Sequence, residues 1–545
     1  MKYFSTRGGE TKLSFEEAVL TGLAPNGGLY IPETIPTLPE NWQTEWANYS
    51  FVDLSVAILS LYISEDEISR AELRRLVEKS YSTFRHPDVT PVHKLNDKKF
   101  ILELFHGPTF AFKDVALQLL GNLFEFFLER RNAKKAQGEV PEKLTVVGAT
   151  SGDTGSAAIY GLRNKANVSI FILHPKGRVS PIQEAQMTTV TDANVHNIAV
   201  KGTFDDCQDI VKALFGDRAF NEKHRLGAVN SINWARILAQ TVYYFLAYFH
   251  TRSQLPSDPN SFELQFVVPT GNFGDILAGY YAKRMGLPMS RLVVATNAND
   301  ILARFWKSGK YEKVDSAAAG EANGATEPAA GASDGKQVTG GGVKETLSPA
   351  MDILVSSNFE RLLWYLAYGA TSVEGGDEKR REKACQTLDS WMSKVKTDGR
   401  VEVPVAALEL ARKDFLAERI SDEQTLETIR SYYSGSPSYV ADPHTAVGIT
   451  AADIVSKNNS ASTVQIILST AHPAKFSEAV TTALSNSSNF DFARDVLPEE
   501  FKGLLEREKR VIDVERPDIE LVKKVIESKV GKEVVVGGEL GNGSV

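Results

Sequence analysis

Cysteine is nearly absent: Cys207 and Cys385 are the only two among 545 residues, and neither lies at metal-ligand spacing from another Cys or His. A disulfide framework and a structural zinc site are therefore poor explanations of folding, and no metal is expected. Long hydrophobic runs are missing too. The longest aromatic-aliphatic stretch, Thr241–Phe249, is far short of the ~20 residues that cross a bilayer and reads as a buried helix, so no membrane partner is expected. Positive charge is outnumbered, with 61 Lys and Arg against 69 Asp and Glu for a formal charge of −8. Phosphate-backbone binding needs clustered Lys and Arg, so nucleic acid is not the expected partner, while a local basic pocket for a small anion remains compatible with the total. Residues 1–10 carry neither a basic-then-apolar leader nor an Arg-rich transit pattern, and the expected location is cytoplasmic.

What is present is the composition of a soluble globular protein, 42% apolar and 24% charged. The length is a prior for about three or four structural units with ample core. An N-terminal unit is expected over 1–95. Turn signals such as Pro25–Gly28 precede a helix from Ser64 to Tyr81, with Leu73, Leu76, Val77 and Tyr81 on one face and capping-box spacing between Ser64 and Glu67. From residue 96 the pattern changes to short apolar runs followed by helices: Phe100–Phe105, Leu144–Gly148, Val168–Leu173, Phe262–Val268, Leu292–Thr296 and Val464–Leu468. These runs are near-continuous rather than alternating, as in strands covered on both faces. The expected fold class is α/β, doubly wound with mostly parallel sheets. That core would occupy 96–312 and return over 441–534 with the final strand and C-terminal helices. A flexible surface insert is expected over 313–345, because Ala and Gly fill 15 of the 29 positions from Asp315 to Val343 and leave little to bury. Residues 346–440 read as a helical accessory region with Phe359, Leu362, Leu363 and Leu366 on one face, and 535–545 as a frayed tail.

Four segments at strand ends carry chemistry. His106–Asp114 puts Lys113 among aromatic residues. Desolvation disfavours ammonium, so this lysine is either a neutral nucleophile able to condense with an aldehyde or a lysine snorkelling at a helix start. Gly148–Ala158 clusters hydroxyls and small residues at a helix N-terminus, which suits a phosphate or carboxylate and equally a capped tight turn. It lacks the Gly-Lys-Ser/Thr ending of a nucleotide-binding loop. Pro269–Asp275 is a second such turn without dinucleotide-binding glycine spacing; it reads as another anion site or as an ordinary turn using Gly and Asn for backbone freedom. In Leu468–Phe476, Ser469 and Thr470 sit where ligands bind in open α/β sheets, as contacts for a ring nitrogen or as plain N-caps, and His472 reads as a packed, hydrogen-bonded histidine.

Together His106–Asp114, Gly148–Ala158, Pro269–Asp275 and Ser469–Phe476 resemble the threonine synthases of the fungal type, pyridoxal 5'-phosphate enzymes of the tryptophan-synthase β (fold type II) superfamily. The resemblance extends to Tyr3–Gly8, Asn230–Arg236 and Ser348–Ile353, nearly the whole chain, while the Ala/Gly-rich insert departs from the pattern. It implies that Lys113 is the Schiff-base lysine and general base. It also implies that Gly271, Asn272, Phe273 and Asp275 lie in the loop for the cofactor phosphate, and that Thr470 meets the pyridine nitrogen. Ser151, Gly152, Asp153 and Thr154 would grip the substrate carboxylate, with Arg236, Thr109 and Ser151 as candidates near the leaving phosphate. The implied reaction converts O-phospho-L-homoserine and water to L-threonine and inorganic phosphate, the last step of threonine biosynthesis, in a monomer or homodimer. A phospho-lyase releasing 2-oxobutyrate is the enzymatic alternative. A catalytically dead interaction scaffold has no physical need for Lys113 beside two anion cradles.

Overall fold

The computed structural model describes residues 1–255, 262–313, 336–337 and 342–539. Most of the Ala/Gly-rich insert expected between 315 and 343, and residues 540–545 of the expected tail, lie outside the described residues. Residues 535–539 belong to the helix Ile519–Glu539.

Two sheets organise the molecule. The first runs in the order Phe415–Arg419, Leu292–Thr296, Glu263–Pro269, Thr463–Ser469, Lys99–Glu103, Val92–Asn96, parallel throughout except for the last pair. The second, Ile512–Val514, Val195–Val200, Val168–Pro175, Leu144–Ala149, Leu226–Gly227, is parallel throughout. All six expected runs are strands, and Val168–Pro175 and Thr463–Ser469 are buried along their whole lengths, as strands between helical layers must be.

Five strands of these two sheets lie outside the six runs: Leu226–Gly227 and Ile512–Val514 are only two and three residues long, Val92–Asn96 is mostly not buried, and the other two have reasons visible in their composition. Val195–Val200 is interrupted by His196 and Asn197, both buried. Phe415–Arg419 follows directly on the helix Val405–Asp414 and ends in two charged residues, being an edge strand that is mostly half-buried. Residues 346–440 thus hold four helices, Phe359–Ala370, Gly376–Thr397, Val405–Asp414 and Asp422–Tyr433, together with an edge of the first sheet.

In the N-terminal region the helix expected from Ser64 begins later, at Arg70. Ser69 and Glu72 form the capping box, and Glu67 instead accepts the Glu16 amide at 3.1 Å. The Tyr3–Gly8 segment is tied across the fold: Thr6 donates to Glu360 Oε1 at 2.7 Å, and Arg7 forks onto both oxygens of the same carboxylate. Trp234–Ser253, which contains the aromatic run, is buried almost throughout, as expected.

Two helices carry the site toward the carboxyl ends of the sheets. Lys113–Asn132 follows the strand Lys99–Glu103, and Asp153–Leu162 follows Leu144–Ala149. They cross at glycines: a Cβ on Gly121 would lie 1.9 Å from the Gly161 carbonyl oxygen, so only a bare backbone permits the approach.

Candidate active site

Lys113 is placed by the loop before it, whose carbonyls are gripped one after another. Arg85 donates to those of Gly107 and Pro108, and Lys475 Nζ and Gln186 Nε2 share that of Thr109 at 2.8 and 3.2 Å. The His472 amide donates to the Phe110 carbonyl at 3.1 Å, and the Phe112 amide to that of Thr470 at 2.8 Å. Phe110 takes φ +59°, a left-handed conformation uncommon for a non-glycine residue, with the Arg85 guanidinium 3.8 Å above its ring. Lys113 is mostly buried beside the Phe112 ring. Desolvation pushes its ammonium down to about 8; Asp153, 3.8 Å away, works against this, while Lys475 and Arg236 add to it.

Asp153 starts its helix inside the same cluster. Its Oδ1 accepts from Lys475 Nζ and from Gln183 Nε2, each at 2.7 Å. Burial opposes ionisation, but the charges of Lys475 and Lys113 prevail and hold this carboxyl well below the usual range. The side chain is thus committed to cations. Thr150 Oγ1 takes the Gly152 and Gly155 amides at 3.0 and 2.9 Å, so that the Asp153 and Thr154 amides are the ones at the helix start that it does not take up. Gly152 has φ +156°, and a Cβ there would meet Gln183 Oε1 at 2.4 Å. Ser151 is exposed.

The third turn, Gly271–Phe273, precedes the helix Gly274–Met285 and is braced by residues 350–358. A Cβ on Gly271 would come within 3.0 Å of both the Ala350 oxygen and Met351 Cα. Ser356 Oγ donates to the Gly271 carbonyl at 2.7 Å, the Asn358 amide to that of Asn272 at 3.0 Å, and the Ser357 hydroxyl to Asn272 Oδ1 at 3.1 Å. Ala350 is itself fixed, because its amide donates to His444 Nε2 at 3.1 Å. That nitrogen must be unprotonated, so Nδ1 carries the proton toward Asp442 Oδ1, 2.8 Å away.

Two of the expected site residues, Asp275 and Thr109, stand differently from the reading of the sequence, while Arg236, Thr470 and His472 are compatible with it. Asp275 does not face an anion: it is buried beneath the turn, accepting from Tyr243 at 2.5 Å and Tyr244 at 3.0 Å. Burial, opposed by those two hydroxyls, pushes its carboxyl up to about 7. A carboxylate would repel phosphate, and this one anchors the turn from below. Thr109 is wholly buried, its hydroxyl and amide both spent on Asp114 at 2.7 and 2.8 Å, so it does not reach toward a substrate. Arg236 is buried with only a 3.4 Å bond to the Val229 carbonyl; its Nε has no partner, and no carboxylate pairs with it among the described residues. Thr470 is buried at the end of Thr463–Ser469 with its hydroxyl uncommitted among the described residues. His472 is packed between Phe105 and Phe110 and accepts the Ala474 amide at 3.2 Å; burial pushes it down to about 4, so it is neutral.

These residues fit pyridoxal phosphate. A lysine able to lose its proton near neutrality, an uncompensated buried guanidinium close enough to depress that lysine, a glycine turn before a helix N-terminus and a free hydroxyl at a strand end are the donors such a group needs. The sequence reading passed over Lys475, Gln183, Gln186, the 356–358 brace and the Asp442–His444 pair. Of these only Lys475 carried a signal, lying inside a motif already singled out.

Comparison with known proteins gives the family. The family described as Threonine synthase N terminus matches residues 2–81, Pyridoxal-phosphate dependent enzyme matches 84–346, and Threonine synthase, C-terminal matches 445–526. The threonine synthase of Schizosaccharomyces pombe is 55% identical over 537 residues, covering 98% of this chain and 99% of that one. The crystal structure of threonine synthase from yeast superposes with a TM-score of 0.87 at 52% identity, covering 97% of this chain and 99% of that one. The pyridoxal-phosphate-bound threonine synthase of Brucella melitensis gives a TM-score of 0.81 at 38% identity, again covering 97% and 99%. The resemblance carried by the four motifs therefore holds over the full length, and the chain belongs to the threonine synthase family of pyridoxal-phosphate-dependent enzymes.

Proposed function

We propose that this chain converts O-phospho-L-homoserine and water to L-threonine and inorganic phosphate, with Lys113 joined to pyridoxal phosphate and acting as the mobile base. The observation that carries the reading is Lys113 itself, mostly buried beside Phe112 with Asp153 3.8 Å away and its ammonium lowered to about 8, so that near neutral pH it can be both proton donor and acceptor. Lys113, the Gly271–Asn272–Phe273 turn with the amides of the helix behind it, and the Thr470 hydroxyl would hold the cofactor. When bound, it supplies the conjugated electron sink that lets the substrate carbon next to the amine lose a proton. A neutral hydroxyl such as that of Thr470 supports a protonated ring less than a carboxylate would, which tempers that sink.

The Asp153 and Thr154 amides would take the substrate carboxylate, and the exposed Ser151 hydroxyl would add a bond. Arg236, a buried cation with no carboxylate partner among the described residues, would balance the phosphate charge; Thr109 acts at one remove by holding Asp114. Lys113, as an amine beside the substrate carbons, would carry protons between them.

The test is phosphate release from O-phospho-L-homoserine by wild type and Lys113→Ala, with threonine measured in parallel. Wild type should release phosphate and threonine in equal amounts and the variant neither. Unchanged turnover in the variant would remove Lys113 from the chemistry, and 2-oxobutyrate as the main wild-type product would make the enzyme a lyase.

A further inference from the structure

Lys475 is as unusual as Lys113 and has no part in the reaction as drawn so far. Its side chain has no exposed surface, yet the ammonium ends on two oxygens, Asp153 Oδ1 at 2.7 Å and the Thr109 carbonyl at 2.8 Å. It comes from the Pro473–Phe476 turn after a strand of the first sheet, whereas Asp153 starts a helix after a strand of the second. The contact therefore crosses from one sheet to the other at the site. Asp153 also turns Oδ2 toward Lys113 Nζ at 3.8 Å. One carboxylate stands between two buried lysines, and only one of them needs to lose its proton.

The groups facing Lys113 come from four elements: Asp153 on its own helix, Lys475 on the turn, Arg236 on Trp234–Ser253, and Asp114 on the helix Lys113 begins. Asp114 is held by Thr109, and burial pushes its carboxyl up to about 6 despite those bonds. Asp153, held well below the usual carboxylate range, is ionised throughout the range in which Lys113 titrates, and it is the carboxylate that Lys475 touches. Left alone, a buried carboxylate at that distance would keep Lys113 an ammonium ion, because opposite charges interact strongly where water is excluded. A surface lysine would be screened and could not cancel it; a buried one, 2.7 Å from the same carboxylate, can.

We propose that Lys475 is a positioning residue that sets the basicity of Lys113 by neutralising Asp153, so that the amine can shed its proton at physiological pH. The proposal rests on the reading of Lys113 as the amine that joins the cofactor. In that step the neutral amine adds to the aldehyde carbon, a C=N bond forms and water leaves, so its rate follows the deprotonated fraction of Lys113.

The experiment measures the rate at which the full-length chain, stripped of cofactor, takes up pyridoxal phosphate across a pH range, followed by visible absorbance. The wild-type rate should rise with a midpoint at about 8. Lys475→Met should move the midpoint up by at least about one pH unit, a roughly tenfold slower uptake at pH near 7. Lys475→Arg, which keeps the charge, should stay near wild type. Asp153→Asn should move the midpoint down, and Lys475→Met with Asp153→Asn should cancel the upward shift. An unshifted midpoint in Lys475→Met, or a double variant as shifted as the single one, overturns the proposal. If Lys475→Met does not fold, Asp153→Asn decides alone, and an unshifted or raised midpoint there is equally fatal. A borohydride-stable cofactor adduct in Lys113→Ala would instead overturn the assignment of Lys113, a separate outcome from failure of the pair.

Discussion

Gly121 and Gly161 meet where the helix Lys113–Asn132 crosses Asp153–Leu162, and a Cβ on Gly121 would sit 1.9 Å from the Gly161 carbonyl oxygen. The helices that meet there begin with Lys113 and Asp153, so their spacing helps set the distance between the two charged groups. Gly121→Ala should part the helices. Forcing a methyl into a packed interior costs typically about 1–3 kcal/mol, read as a lower urea midpoint, and the displaced Asp153 should lower kcat as well. A variant with wild-type stability and turnover would mean that this crossing is not what holds the two residues together.

Asp275 should make stability depend on pH in an unusual direction. Its carboxyl has a higher pKa in the folded chain, about 7, than its ordinary value of 3.8. Between those values the native state holds a proton that the unfolded chain has lost, so this residue's contribution to stability falls as pH rises through the window and stays low above it. Asp275→Asn keeps an oxygen for Tyr243 and Tyr244 but cannot ionise. The variant should therefore gain on wild type between about pH 5 and about pH 8, by at most on the order of 3 kcal/mol. Urea titrations of both holoproteins at the two pH values check this, and parallel stability profiles would refute it.

The parts of the fold that the sequence disclosed are those where burial is uniform. Val168–Pro175 and Thr463–Ser469 are buried at every position, so their apolar runs have no other use. Lys113 and the glycine turns were legible because strand-end turns need special residues whatever they bind. The helix start was misplaced because Ser64 and Ser69 both have an acid three residues later; the choice depends on Glu67 reaching the Glu16 amide, a contact 51 residues away in the chain. Asp275 looked like an anion-site residue because its buried partners, Tyr243 and Tyr244, lie on a distant helix. Lys475 lies inside the Ser469–Phe476 motif with no role legible there, since a lysine in sequence is by default a surface residue, and only the fold brings Asp153 and the Thr109 carbonyl to it. The His444 contact to Ala350 spans 94 residues and leaves no local signature.

Gly271 gives the sharpest test of the turn assigned to the cofactor phosphate. Its neighbours are backbone: the Ala350 oxygen and Met351 Cα, each 3.0 Å from where a Cβ would lie. They cannot swing aside as a side-chain end could, because Ala350 is fixed through His444 and Asp442, and the Gly271 carbonyl is held by Ser356. Gly271→Ala must therefore shift the turn itself, at a cost of about 1–3 kcal/mol if the strain is resolved locally. The first groups to move are the Gly271–Phe273 amides, so the loss should fall on cofactor affinity. Pyridoxal phosphate should dissociate roughly tenfold or more readily, at about 1.4 kcal/mol per tenfold, in addition to the modest fall in the urea midpoint of the cofactor-free chain that the strain itself produces. Equilibrium titration of the stripped protein with pyridoxal phosphate gives the first quantity and urea unfolding the second. Unchanged affinity with reduced stability would assign the turn to the scaffold and place the phosphate elsewhere.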